Sequence, residues 1–173
     1  MAKFRGRHRE NKSEFDQQVV EVSRVTRVVA GCKRMRFRAL VVLGDKKGRV
    51  GMGLKKGSDV SEAIKKAASS ARKKLIKVYI VKGTIPHRVI AKFKASKVLL
   101  KPAPQGTGVI AGGPVRSVVE SAGISNIVSK MLGSANKVNN VKAAIEALKS
   151  LKKPRFSDHK KEEQKDYTES HQS

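Results

Sequence analysis

Aromatic side chains are scarce in this chain of 173 residues: Trp is absent, and two Tyr and five Phe make up 4%. Platforms on which single-stranded bases could stack are therefore few. A single cysteine, Cys32, excludes an internal disulfide and any zinc site built from several thiolates. Long apolar runs are also missing. The longest strongly apolar run, residues 39–43, falls far short of the roughly 18 residues a membrane helix needs. No apolar stretch opens the sequence, so a cytoplasmic protein without a secretory signal is expected. Acidic residues are the last shortage: 14 Asp and Glu stand against 39 Lys and Arg, a formal net charge of +25.

An isolated enzyme gains nothing from such self-repulsion, whereas a protein that coats a polyanion has it neutralised on binding. With 39% hydrophobic residues and 14 Gly the composition is still that of a globular chain, long enough for one domain or two small ones. The charge is unevenly placed. Residues 1–13 carry a net +4 and read as a flexible basic arm. Residues 14–101 carry +17, residues 102–153 carry +5, and residues 154–173 carry −1 and read as a disordered tail. Most of the excess thus lies in folded-type sequence.

Residues 19–29 and 32–43 alternate with a period of two around Ala30-Gly31, which predicts a hairpin. In the second run Lys33, Met35, Phe37, Ala39, Val41 and Leu43 share one face, and Arg34, Arg36 and Arg38 the other. Gly44-Asp45-Lys46-Lys47-Gly48 reads as a turn, and residues 49–54 as a third strand whose Gly51 and Gly53 point to close backbone approach. Asp59, with Glu62 three residues on, predicts a helix start resembling a capping box. Val60, Ala63, Ile64, Ala67, Ala68, Ala71 and Leu75 supply its apolar stripe. A β-β-β-α domain over residues 14–81 follows. Residues 88–93 and 97–101 are then extended, Pro114 and Gly123 bracket a helix, and residues 126–132 form a strand. Asn140 is expected to cap a last helix with the stripe Val141, Ala144, Ile145 and Leu148, stopped by Pro154. These elements make a second α/β domain over residues 82–153.

The sharpest binding feature is the Arg34, Arg36, Arg38 ladder with Arg24, Arg27 and Lys33. A merely solvated strand face usually mixes signs, and here only Glu21 is acidic, so a phosphate-gripping surface is the stronger reading. Lys55 and Lys56 extend it. The glycine-rich stretch from Gly106 and Gly108 to Gly112, Gly113 and Pro114 opens into a helix, where backbone N–H groups attract anions. It lacks the Lys-Ser/Thr of a nucleotide-binding P-loop and the spacing of a dinucleotide fingerprint. Two readings stay open for it: tight turns with close packing, or backbone contact with RNA or a partner protein. Catalytic candidates are poor. His8, His159 and His171 lie in the ends, His87 stands alone after Pro86, and Asp59 and Glu62 serve the helix cap. Cys32 is flanked by Lys33 and Arg34, but no His lies nearby in sequence to act as its base. Met35 and Met52 read as core.

Taken together, Arg24-Val25-Thr26-Arg27-Val28-Val29-Ala30-Gly31, Gly44-Asp45-Lys46-Lys47-Gly48-Arg49-Val50-Gly51-Met52-Gly53, Pro102-Ala103-Pro104-Gln105-Gly106-Thr107-Gly108-Val109-Ile110-Ala111-Gly112-Gly113 and Gly133-Ser134-Ala135-Asn136 resemble the bacterial-type small-ribosomal-subunit protein five family. The resemblance spans about residues 14–153, with its pieces in family order. It implies an α+β protein of two small domains: an N-terminal domain like the double-stranded-RNA-binding fold, and a C-terminal α/β domain with a left-handed crossover. It implies a structural, non-enzymatic role in binding small-subunit rRNA, packing against proteins S-four and S-eight, lining the path by which mRNA enters, and supporting decoding accuracy. Val25, Thr26, Arg27, Gly31 and Cys32 match the loop near the spectinomycin site, and Gly106, Gly108 and Arg116 match the region facing S-four. The family often has Gly-Gly at the hairpin turn, and Cys32 departs from that. No cofactor, metal or small-molecule substrate is expected. Two rivals have weaker support: a small-molecule kinase, for which no acidic magnesium ligand follows a phosphate loop, and a free-standing double-stranded-RNA-binding module.

Overall fold

A computed structural model describes residues 15–152. The predicted arm at residues 1–13 and tail at residues 154–173, with His8, Pro154, His159 and His171, lie outside the described residues. The long alternating runs form strands β1 (Asp16–Val29) and β2 (Cys32–Gly44), an antiparallel hairpin turning at Ala30-Gly31. Strand β3 (Arg49–Gly57) pairs antiparallel with β2, and a two-residue strand β4 (Ile76–Lys77) closes the sheet in the order β1-β2-β3-β4. The sequence pattern misses β4, which is too short to show a period.

Helix α1 (Val60–Arg72) starts where its cap predicts. The Asp59 carboxylate accepts the Ser61 N–H at 3.2 Å. Glu62 reaches one residue further back than in a standard capping box and accepts the Ser58 N–H at 2.7 Å and the Ser58 hydroxyl at 2.6 Å. Ala63, Ala67 and Ala71, four residues apart, form the buried stripe. This stripe of methyls rides on glycines of β3: a Cβ at Gly51 would lie 2.7 Å from the Ala71 carbonyl oxygen, and one at Gly53 would overlap the Ala67 carbonyl. Small residues on both sides bring helix and sheet backbones together, as the glycines suggested.

The second sheet has the order β5-β6-β8-β7, from strands β5 (Val89–Phe93), β6 (Ser96–Pro102), β7 (Val109–Ile110) and β8 (Ile127–Gly133). Neighbours are antiparallel except β7 and β8, a parallel pair joined through helix α2 (Gly113–Ala122). Pro114 stands in the first turn of α2, and Gly123 ends it at φ +87°. Helix α3 (Lys137–Lys149) corrects the expected cap. Asn136, not Asn140, accepts the Val138 and Asn139 N–H groups, at 3.0 and 3.3 Å. Asn140 is buried one turn inside and donates its Nδ2 to the Ser134 carbonyl at 2.9 Å. The helix ends at Lys149 with Ser150 as cap, before Pro154 is reached.

Strand β2 shows how the two sheets meet. Ala39 and Val41 face α1, in a small cluster with Ala63 and Ala67. Leu40 and Val42, on the opposite face, join one cluster with Val98 and Leu100 of β6, Val115, Val118 and Val119 of α2, and Val141 and Leu148 of α3. The main core is therefore shared between the sheets. Backbone bonds tie the same junction: the Lys46 N–H donates to the Ser121 carbonyl at 3.1 Å and the Gly48 N–H to the Ala122 carbonyl at 2.9 Å. Asp45 orders the turn that makes these bonds by accepting the Lys47 and Arg49 N–H groups at 2.8 and 2.9 Å. No helix among the described residues is long and apolar enough to cross a membrane.

Candidate nucleic-acid interface

Cross-strand partners in an antiparallel ladder share a face. In the hairpin Arg34 lies opposite Arg27, Arg36 opposite Val25, and Arg38 opposite Ser23 on one side and Lys56 on the other. Five cations from three strands, Arg27, Arg34, Arg36, Arg38 and Lys56, therefore occupy one face. Val25, Thr26, Arg27, Arg34, Arg36 and Lys56 line a groove of about 260 Å³ on it. Arg38 is half-buried, with its Nε 3.1 Å from the Ser23 hydroxyl. Among the described residues no ion pair engages the five cations. Glu21, the carboxylate further along this face, pairs with Lys137 of α3 at 3.4 Å. Like charges directly opposite each other, as in Arg27–Arg34 and Arg38–Lys56, disfavour the free hairpin and favour one that holds anions between them.

Arg24, Lys33 and Lys55 do not join this group. They lie opposite Phe37, Val28 and Ala39, on the face where α1 packs. Lys55 there lines a depression of about 300 Å³ with Lys66, Ser69, Ser70 and Lys73. The eight predicted contact residues thus divide five and three between the two faces of one sheet.

At the tip, Gly31 takes a φ of +75° in the turn, and Cys32 is the exposed first residue of β2, opposite Val29. Cys32 has no positive φ, so replacing a glycine there places no side chain in a left-handed conformation. Met35 is 51% exposed, contrary to the expectation of a core residue, because the outer half of the hairpin extends beyond the other described elements. Met52 does pack against the main core.

The glycine-rich loop is held from within. Gly106 and Gly108, at φ +92° and +73°, both donate their N–H groups to the Asn126 side-chain oxygen, at 3.1 and 3.0 Å. Those two amides are already satisfied, and beyond the neighbouring residues no described atom lies within 4 Å of where either Cβ would stand, so tight turns and not close packing describe this part of the loop. The sequence reading places Asn126 only at the start of a strand and misses its part in the loop, for which no local signal exists. Arg116 is exposed on α2 and reaches back to the Val109 carbonyl at 3.3 Å. His87 is half-buried in the segment before β5.

Fold and surface define the class: a basic α+β protein of two small domains, with one strongly cationic sheet face. Family models for the ribosomal protein S5 N-terminal domain and C-terminal domain match residues 15–79 and 91–163. The chain belongs to the ribosomal protein S5 family, structural rRNA-binding proteins of the cytoplasmic small ribosomal subunit.

Proposed function

We propose that the hairpin face of Arg27, Arg34, Arg36, Arg38 and Lys56 is the principal rRNA grip of this chain. Arg24, Lys33 and Lys55 contact RNA from the opposite face of the same sheet. The observation that carries this reading is the convergence of five cations from three strands on one face, with the nearby carboxylate drawn off by Lys137. Guanidinium groups at alternate strand positions lie about 7 Å apart, a spacing that suits successive backbone phosphates. Neutralisation of those phosphates, with recognition of RNA shape, is the mechanism.

On this reading residues 14–81 form the RNA-gripping domain. Residues 82–153 meet neighbouring proteins, with Gly106, Gly108 and Arg116 facing S-four and S-eight packing elsewhere. The hairpin tip at Val25, Thr26, Arg27, Gly31 and Cys32 lies near the spectinomycin site. The protein stands beside the path by which mRNA enters, supports decoding accuracy, and catalyses no reaction. Replacing Arg34, Arg36 and Arg38 together by Ala is expected to weaken binding to small-subunit rRNA. The slope of log affinity against log salt should fall in magnitude by about two to three. Filter binding across a salt series measures both, and an unchanged slope overturns the assignment.

A further inference from the structure

Among the described residues the second sheet is covered on one face only. Val98, Leu100 and Ile127 point into the core shared with α2 and α3, so by alternation the intervening residues point away from it. That outer face carries Lys92 on β5, Lys97 and Lys101 on β6, and Lys130 on β8, all exposed. Between them stand Leu99 and the partly exposed Ile90 and Leu132. No Asp or Glu occurs anywhere from residue 63 to residue 119, and β8 has none. Among the described residues no ion pair engages these lysines. Lys92 and Lys97 are direct cross-strand partners, an arrangement that costs the free protein stability.

Lysines on an edge strand have an ordinary explanation, since they keep the edge from pairing with other chains. That accounts for Lys92 on β5. It extends to Lys101 and Lys130, which stand past the last residues paired with β5 and β7, but not to Lys97, which is paired on both sides, with Lys92 and with Leu132. Nor are the lysines confined to a turn or a tail; the sheet holds them in a fixed array. The face has aliphatic residues between its charges and no aromatic ones, so it suits phosphate and ribose and does not suit stacked bases.

We propose that this outer face is a second RNA surface, contacting the sugar-phosphate backbone of small-subunit rRNA on the other side of the molecule's second sheet. The proposal rests on the rRNA-binding reading of the hairpin but assigns a separate set of residues. The second domain is then an RNA contact in its own right as well as a place for neighbouring proteins.

The test compares three full-length proteins on small-subunit rRNA across a salt series: the wild type, the hairpin triple Ala variant, and a variant with Lys92→Gln, Lys97→Gln, Lys101→Gln and Lys130→Gln. The sheet variant is expected to keep or slightly raise its thermal midpoint, since the Lys92–Lys97 repulsion is removed, and to lose about three from the magnitude of its log–log salt slope. In parallel, lysine acetylation of the wild type, read by mass spectrometry with and without rRNA, should show the four lysines protected by RNA. This second measurement needs no variant to fold. If the wild type shows no salt-dependent binding, the rRNA reading itself fails. If the hairpin variant loses slope while the sheet variant does not, and the four lysines stay reactive on rRNA, the second surface is overturned and the hairpin stands. Protection already present in the free chain, or present only in the assembled subunit and not on rRNA alone, also overturns it, in favour of the chain's own terminal segment or a neighbouring protein.

Discussion

At the scale of single residues, the tightest approach at any described glycine is between Gly53 and the Ala67 carbonyl, which no Cβ could share. Because the obstacle is helix backbone, relief requires α1 to lift from the sheet. Gly53→Ala is expected to destabilise the fold by about 2–3 kcal/mol in denaturant titrations. Gly113→Ala, in the first turn of α2 where an added Cβ meets nothing, should be neutral or slightly stabilising. Glu62 gives a pH prediction. Hydrogen bonds from Lys66, then from the Ser58 hydroxyl and N–H, lower its pKa from 4.5 to about 2. A carboxyl whose folded pKa is depressed contributes stability above its unfolded value and loses it as pH falls through the folded one. The thermal midpoint of the wild type should therefore exceed that of Glu62→Gln near neutral pH, with the gap closing between pH 4.5 and about 2. A gap constant over that window would show that the ionised carboxylate contributes nothing. Asp45 acts in the same sense: burial raises its pKa, but hydrogen bonds from the Arg49 side chain and the Arg49 and Lys47 N–H groups outweigh that and lower it.

Among elements, the legible ones were those whose pattern repeats several times. β1 and the outer half of β2 alternate, the inner half of β2 is a short apolar run bounded by a turn, and α1 shows Ala at four-residue intervals with an acidic cap, so existence, type and turn could all be read. The pairs β4 and β7, two residues each, have no period to read and exist because a neighbouring strand offers hydrogen bonds. The start of α3 was misjudged because Asn136 and Asn140 have equal local claims to a cap. The decision came from Ser134, whose carbonyl takes the Asn140 side chain and leaves Asn136 to cap the helix. For the candidate site, alternation placed Arg34, Arg36 and Arg38 on one face. Which residues of β1 and β3 join them depends on register, which sets Arg27 and Lys56 beside them and sends Arg24, Lys33 and Lys55 to the other side.

For the whole molecule, the shared core makes the two sheets a single cooperative body. Leu40, Val42 and Val50 of the first sheet are buried in the same cluster as Val115, Val118 and Val119 of α2, and each such side chain contributes about 1.5–3 kcal/mol by burial. Heat or denaturant should unfold residues 15–152 in one transition, with coincident curves from far-ultraviolet circular dichroism and from a fluorophore attached at Cys32. Two separated transitions would show that the sheets are independent. The free-standing RNA-binding module fares poorly by the same reasoning, because residues 14–81 alone would expose the apolar face of Leu40 and Val42.

By itself the sequence determined the partner class, since a net charge of +25 with most of it in folded-type segments leaves a polyanion as the natural counterpart. It also determined the long elements, their turns, and the arginine ladder, because these follow from local periodicity. Tertiary structure alone decided which cations of β1 and β3 join the ladder, that the loop amides of Gly106 and Gly108 are bound to Asn126, and that the lysines of β6 and β8 are set out on a sheet face that no other described element covers. Each of these depends on strand register or on contacts between residues distant in the chain, and no local pattern encodes either.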